Sequence, residues 1–246
     1  MDKLLYVAMA GAKQIMHQQT TNNHNLANAN TTGFKADYDA FAQLPMTGPG
    51  HDSRVYTQDR RAGVNLQAGS ILQTGRDLDV AIQSEGYFAV ETATGGEAYT
   101  RAGDFRINAS GLLETRTGEL VLGNGGPVAI PPYEQLLIGS DGTISVQPVG
   151  QEASALAVLD RLKLVNPSAA QLTKGADGLL VSRDGETFGA DAEVRVTSGA
   201  LEASNVNMVD GLVNMIQLSR QYEMNISMMK KAEEMDEASA SLMRIT

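Results

Sequence analysis

The chain has 246 residues, with 19 Lys and Arg against 29 Asp and Glu and a net charge of -10. That balance excludes a phosphate-neutralising nucleic-acid surface and a dock on an anionic leaflet, both of which need clustered cations. It suits solubility and mutual repulsion of free subunits. Cysteine is absent, which excludes disulfides and thiolate metal sites, and no apolar run approaches the roughly 18 residues of a membrane span.

The first element is an amphipathic helix from about Leu4 to Asn28. Leu5, Ala8, Ala12, Ile15, Gln19, Asn22 and Leu26 step alternately by three and four residues, flanked by Met9 and Met16. This is a heptad-like seam, apolar and small in its first half and polar in its second. A glycine inside a helix costs roughly 1 kcal/mol against Ala, so Gly11 predicts a close helix neighbour. Asn28 to Gly33 supplies the residues that stop a helix. The patterned stretch Leu4–Ile15 has no small-residue cleavage site after it, so if the protein leaves the cytoplasm it is expected to do so without a cleaved signal peptide.

From about Ala42 to Gly75 apolar residues are few, Pro45, Gly48, Pro49 and Gly50 mark turns, and no period persists. The segment reads as a flexible linker or as an extended arm that orders against neighbours, and both readings stand. Period two begins at Leu78, where Leu78, Val80 and Ile82 alternate with Asp79, Ala81 and Gln83 as in a half-buried strand. Further short strands are expected at Tyr87–Glu91, Ala98–Arg101, Phe105–Ile107, Leu112–Thr115 and Leu120–Leu122. Later ones fall at Leu136–Ile138, Thr143–Val146, Leu156–Val165, Leu179–Ser182 and Glu193–Thr197. Asn108–Gly111 and Ser140–Gly142 read as hairpin turns between them.

The last helix is expected from about Asn205 to Arg244, with Ser204 or Asn205 as N-cap. Met208, Leu212, Met215, Ser219, Tyr222, Ile226 and Met229 step by four and three, and Val209, Val213 and Ile216 widen the stripe. Beyond Met229 the apolar face drifts to Ala232, Met235, Ser239 and Leu242, so the seam winds. The fold class is therefore α+β: a central antiparallel β domain with N- and C-terminal helices pairing as a coiled-coil-like domain. Residues 1–30 with 205–246 form the terminal helical domain, 31–77 an arm or linker, and 78–204 the β-rich domain.

Catalytic constellations are thin. The three histidines, His17, His24 and His51, show no zinc-binding pair with an intervening Glu. Ser227-Met-Met-Lys230 matches an acyl-enzyme spacing but lies in an apolar-striped helix without partner motifs. Gly123–Gly126 lacks the following helix of a phosphate cradle, and Asp141-Gly142 lacks the alternating acids of a calcium loop. No catalytic, cofactor or metal residue is expected, and the chain reads as a protein that assembles. Two terminal helices with long seams can pair with each other or with the ends of other copies. The apolar burial of one isolated pair falls short of the backbone entropy of ordering it. Mobile termini in the free subunit that become helical in an assembly are the expectation.

Specific residues carry a resemblance. Asn22-Asn-His-Asn-Leu-Ala-Asn28 followed by Asn30-Thr-Thr-Gly-Phe-Lys35 resembles the N-terminal signature of bacterial flagellar rod and hook proteins. His24 stands where that family usually carries Ile, Val or another residue. Leu78–Ile82 with Gly86–Val90, Tyr99–Phe105 with Gly111–Leu113, and Gly199–Glu202 with Ser204–Asn207 are similar to its β domain and the run into its C-terminal helix. The matches span the chain in order. Met1–Tyr6 and Met9–Gln14 look most like the proximal-rod branch. The distal-rod branch tends to be slightly longer and to open with a Trp-containing helix, whereas Trp is absent here, and the hook branch usually carries additional domain mass.

The resemblance implies subunits that leave through the flagellar type III export apparatus as unfolded chains. It implies that they assemble in the periplasm with other rod proteins into a helical hetero-oligomer, without nucleic acid or membrane insertion. Paired terminal helices would form an inner tubular layer and the β domain an outer one. Subunit contacts are then expected at Leu5, Ala8, Ala12, Ile15, Asn22, Asn25, Leu26, Asn28, Gly33 and Phe34. From the last helix they would include Leu212, Ile216, Tyr222, Ile226 and Met229. Distal-rod and hook-type proteins are the near alternatives. A soluble β-domain binding module or enzyme is the remote one, and it would need a pocket with convergent polar groups.

Overall fold

A computed structural model describes residues 3–45, 55–150, 156–175 and 177–243. The turn expected at Gly48, Pro49 and Gly50, the residue His51, and the helix end at Arg244 lie outside the described residues. The element types are those of an α+β protein with mostly antiparallel sheets. Contacts divide the chain into two units: residues 1–29, 36–65 and 206–246, and residues 30–35 and 66–205.

The helical unit contains α1, Lys3–Ala27, and α2, Met208–Met243. The second helix starts later than expected because Asn207, not Ser204 or Asn205, caps it. The Asn207 Oδ1 accepts from the Val209 and Asp210 amides at 3.0 and 3.4 Å, meeting two of the orphan donors of a helix start. Asp210 in the first turn adds a favourable charge at the positive end of the dipole. The strands Asp37–Pro45 and Val55–Val64 pair antiparallel with an irregularity between Tyr38 and Ala40. The second strand lies in the stretch without apolar period and the first runs into it from Asp37, and a two-stranded ribbon leaves no alternation to read.

In the β unit, a sheet runs in the order Leu172–Lys174, Leu180–Ser182, Glu97–Thr100, Tyr87–Glu91, Leu120–Gly123, Leu113–Glu114, Arg106–Ile107. The strand Tyr87–Glu91 is buried on both sides. Phe88 and Val90 enter the main core with Val80, Phe105, Val121 and Ile144, while Tyr87 and Ala89 enter a second cluster with Tyr99, Val165, Leu172 and Leu180. Phe88 and Phe105 meet edge to face, with centroids 5.1 Å apart. A second, three-stranded sheet orders Tyr133–Ile138, Thr143–Pro148 and Ala157–Arg161. The long strand expected over 156–165 is therefore two strands. Ala157–Arg161 pairs with Thr143–Pro148, and Leu164–Val165 turns to pair with Tyr87–Glu91.

The expected turns hold. Asn108 Oδ1 accepts from the Ser110 and Leu112 amides, an Asx turn that hands over to Gly111 at φ 78. Four short strands escaped the pattern: Ile71–Gln73, Gly126–Pro127, Leu172–Lys174 and Ala200–Glu202. Runs of two or three residues carry too little alternation to register. Ile71–Gln73 pairs antiparallel with Ala200–Glu202.

Candidate assembly surface

The helices α1 and α2 lie antiparallel in the helical unit. A Cβ on Gly11 would come 3.2 Å from Asn225 Oδ1, and one on Gly211 would come 3.5 Å from Leu26 Cδ1. Asn22 Nδ2 also donates to the Gly211 carbonyl at 2.9 Å. Early residues of one helix thus meet late residues of the other. The neighbour that Gly11 demanded is Asn225, and a matching glycine, Gly211, receives Asn22 and Leu26 from the other side.

On α1 the inward residues follow the expected seam: Ala8, Ala12 and Ile15 are buried, and Asn22, Asn25 and Leu26 are half-buried. Leu5 is exposed at 38%. On α2 the shielded line is Gly211, Met215, Leu218, Tyr222, Asn225, Met229 and Ala232, again stepping by four and three. Met215, Tyr222 and Met229 belong to the expected seam. Its alternate positions turn by one residue, so that Leu212 gives way to Gly211, Ser219 to Leu218 and Ile226 to Asn225. Ile226 is half-buried beside this line, whereas Leu212 and Ile216 are exposed at 42% and 53%. The inward residues missed from sequence are Gly211, Leu218 and Asn225, of which Gly211 is small and Asn225 polar, whereas Ala232 lies where the apolar face was expected to drift. The signal that could have found them is the one Gly11 carried: a glycine kept inside a helix marks a close approach.

The remaining large apolar residues face out. Met208, Val209, Leu212, Val213 and Ile216 make one exposed patch over the first turns of α2, and Leu5, Tyr6, Val7, Met9 and Met16 are exposed on α1. Contiguous apolar surface of this kind marks an interaction site.

Where α1 ends, the Asn cluster does what its chemistry suggests. Asn25 holds Asp37 from both sides, donating from Nδ2 to its carbonyl at 2.8 Å and accepting its amide at 2.9 Å. Asn28 Nδ2 donates to the His24 carbonyl. Thr21 donates to Asp39, and His24 Nδ1 lies 3.0 Å from Asp37 Oδ2. The cluster fixes the start of the two-stranded ribbon onto the helix that precedes it.

Gly33 and Phe34 belong to the β unit. Gly33 has φ 66, and a Cβ there would fall 2.2 Å from the Ala102 amide nitrogen, so no other residue fits this turn. Phe34 packs under Lys174, whose Nζ sits 4.2 Å from the ring centroid.

Among the described residues no three His, Asp or Glu gather as metal ligands, and no helix is long and apolar enough to cross a membrane. A surface groove in the β unit, lined by residues 107–111 and 129–133, contains no carboxylate, imidazole or amine side chain.

Comparison with known proteins agrees with the sequence signatures. Residues 81–146 match the family model described as "Flagellar hook protein FlgE/F/G D1 domain", and residues 197–242 match "Flagellar basal body rod FlgEFG protein C-terminal". The chain is 37% identical over 240 residues to "Flagellar basal-body rod protein FlgF" of Escherichia coli strain K12, covering 95% of each. It is 35% identical to the protein of the same name from Salmonella typhimurium strain LT2, again over 95% of each. With "Flagellar basal-body rod protein FlgG" of Bacillus subtilis strain 168 it shares 29% identity over 98% of each chain. On this full-length similarity, the chain belongs to the flagellar basal-body rod protein family.

Proposed function

We propose that the chain is a structural subunit of the proximal flagellar rod, not an enzyme, and that it assembles with other rod proteins into a torque-transmitting helical shaft. Identities of 37% and 35%, each over 95% of the chain, to two FlgF rod proteins carry the assignment. In this reading α1 and α2 act as a coiled-coil-like pair whose exposed apolar patches are covered by neighbouring subunits. Ala8, Ala12 and Ile15 hold the pair together, and Leu5, Leu212 and Ile216 face the neighbours. Tyr222 and Met229 lie on the line that α2 turns toward α1, and Ile226 sits at the boundary between these two surfaces. The subunit reaches the periplasm unfolded through the flagellar type III export apparatus, without a cleaved signal peptide, and the lack of cysteine suits that route.

Deleting the gene in its host and imaging basal bodies tests this. Motility should be lost and restored by a tagged copy that localises to the motor-proximal rod. A tag found along the distal rod or hook would overturn the proximal assignment, and unimpaired swimming of the deletion strain would overturn the rod reading itself.

A further inference from the structure

The β unit joins the rest of the chain through segments near residues 30–35, 66–70 and 200–205. All three converge on one buried carboxylate. Glu202 Oε1 accepts from Lys35 Nζ at 2.6 Å and from the Gly69 amide at 2.9 Å, and its Oε2 accepts from Arg101 Nη1 at 2.8 Å. The three charged side chains are 4% exposed or less. Lys35 Nζ also donates to the Gln67 carbonyl, and Arg101 Nη2 donates to the Ser84 carbonyl. The Arg101 guanidinium lies over the Tyr87 ring, 5.3 Å from its centroid.

Backbone bonds tie the same segments together. The Gly33 amide donates to the Glu202 carbonyl at 2.8 Å and the Ala203 amide to the Ser70 carbonyl at 2.8 Å. The Asn205 amide donates to the Phe34 carbonyl at 3.3 Å, and its Nδ2 donates to the Gln67 carbonyl at 3.0 Å.

We propose that Lys35, Arg101 and Glu202 form a latch that binds the three connecting segments of the β unit into one body, and that the latch closes only when Glu202 arrives. One anion serves two cations here. Until Glu202 is in place, Lys35 and Arg101 would be two like charges in a dry pocket, a state that costs far more than leaving the segments open to water. Burial lowers the pKa of Lys35, and the Glu202 carboxylate opposes that shift, so the ammonium depends on its late-arriving partner. Glu202 follows Lys35 by 167 positions and Arg101 by 101. If the proposed export delivers the chain N-terminus first, the segments stay unlatched until almost the whole β unit has passed. Only this timing rests on the rod reading; the latch is a property of the free subunit.

The test is native-state hydrogen exchange on the full chain. The amides of Gly33, Gly69, Ala203 and Asn205 should exchange through one common opening, faster than that of Ala89 in the core strand. Four unrelated rates, or exchange only together with Ala89, would overturn the proposal. Charge counting sets the order of the variants. Lys35→Met leaves the neutral Arg101–Glu202 pair and should speed the four amides by less than about tenfold. Glu202→Gln strands two cations and should speed them by about a hundredfold or more while sparing Ala89. A Glu202→Gln effect no larger than that of Lys35→Met would overturn the latch. If Glu202→Gln does not fold, the wild-type and Lys35→Met measurements still decide. Because these are measurements on the free subunit, the latch can fail in a genuine rod protein and can hold in a chain that never enters a rod.

Discussion

Ile216→Asp separates the two faces of the helix pair. Ile216 is 53% exposed and lies off the line that α2 turns toward α1. Full burial of an Ile side chain is worth about 1.5–3 kcal/mol, so losing its half-burial should cost the free subunit only about 1 kcal/mol. The β unit, which has its own cores, should be unaffected. In a rod the exposed half would be covered by a neighbour. The substitution then forfeits about 1 kcal/mol more of burial and forces a carboxylate out of water, which costs several kcal/mol without a partner. A penalty of about 4 kcal/mol or more at every such contact is roughly a thousandfold in association.

Two measurements are needed on the same variant. Circular dichroism melting should give a near-native free subunit, with the conservative Ile216→Leu as control. Swimming and rod incorporation should be lost for Ile216→Asp and kept for Ile216→Leu. Normal swimming with Ile216→Asp would refute the assignment of this face to a neighbouring subunit. A free subunit that unfolds would show instead that the side chain works within its own chain.

Ile226→Asp, at the half-buried boundary of the same helix, should leave the β unit folded and block incorporation, and a fully motile strain would exclude Ile226 from the contact. Gly103→Ala should destabilise the β unit, because the new Cβ would lie 1.7 Å from the Val80 carbonyl oxygen and 3.3 Å from Phe88 Cε2. Overpacking plus loss of the Val80 amide bond to Gly103 should cost about 2–4 kcal/mol, or roughly 5–15 °C in Tm by calorimetry, and an unchanged midpoint would contradict the close approach. Burial pushes the Tyr99 hydroxyl up to about 12, so the unfolded chain gives up this proton at lower pH than the folded one. Stability should therefore fall as pH rises from the ordinary tyrosine value of 10 toward 12. Tyr99→Phe should flatten that alkaline limb in pH-dependent melts, although it also removes the acceptor of the Phe188 amide and so starts from a lower midpoint.

What could be read in advance follows from how much alternation each element carries. The strand around Val80 announced itself through period two, although Val80, Ala81 and Ile82 are all buried and the strand is not half-buried as expected, and the hairpins at Asn108–Gly111 and Ser140–Gly142 announced themselves through turn residues. The ribbon of Asp37–Pro45 with Val55–Val64 did not, because two strands alone enclose no core and impose no apolar period. Glu202 was visible only as part of a resemblance. A buried carboxylate looks like a surface one until its partners, 101 and 167 residues away, are placed beside it.

The seam on α2 shows a different limit. Reading the apolar stripe as inward placed Leu212 and Ile226, and by spacing Ser219, on the line, with Val209, Val213 and Ile216 widening it. The structure turns Gly211, Leu218, Asn225 and Ala232 inward and leaves Val209 exposed at 68% and Ile216 at 53%. Two helices of one chain gain most from close approach, which selects small residues at the contact: Gly11, Ala8 and Ala12 on one side, Gly211 and Ala232 on the other. Bulk placed there would hold the helices apart and cost the Asn22 bond to the Gly211 carbonyl. The large side chains are then left for the outside, where a solitary subunit has no use for them and bears the cost of their hydration. A helix pair that keeps its small residues within and its large ones without is built to be completed by other chains, and that asymmetry is the physical content of calling it a rod subunit.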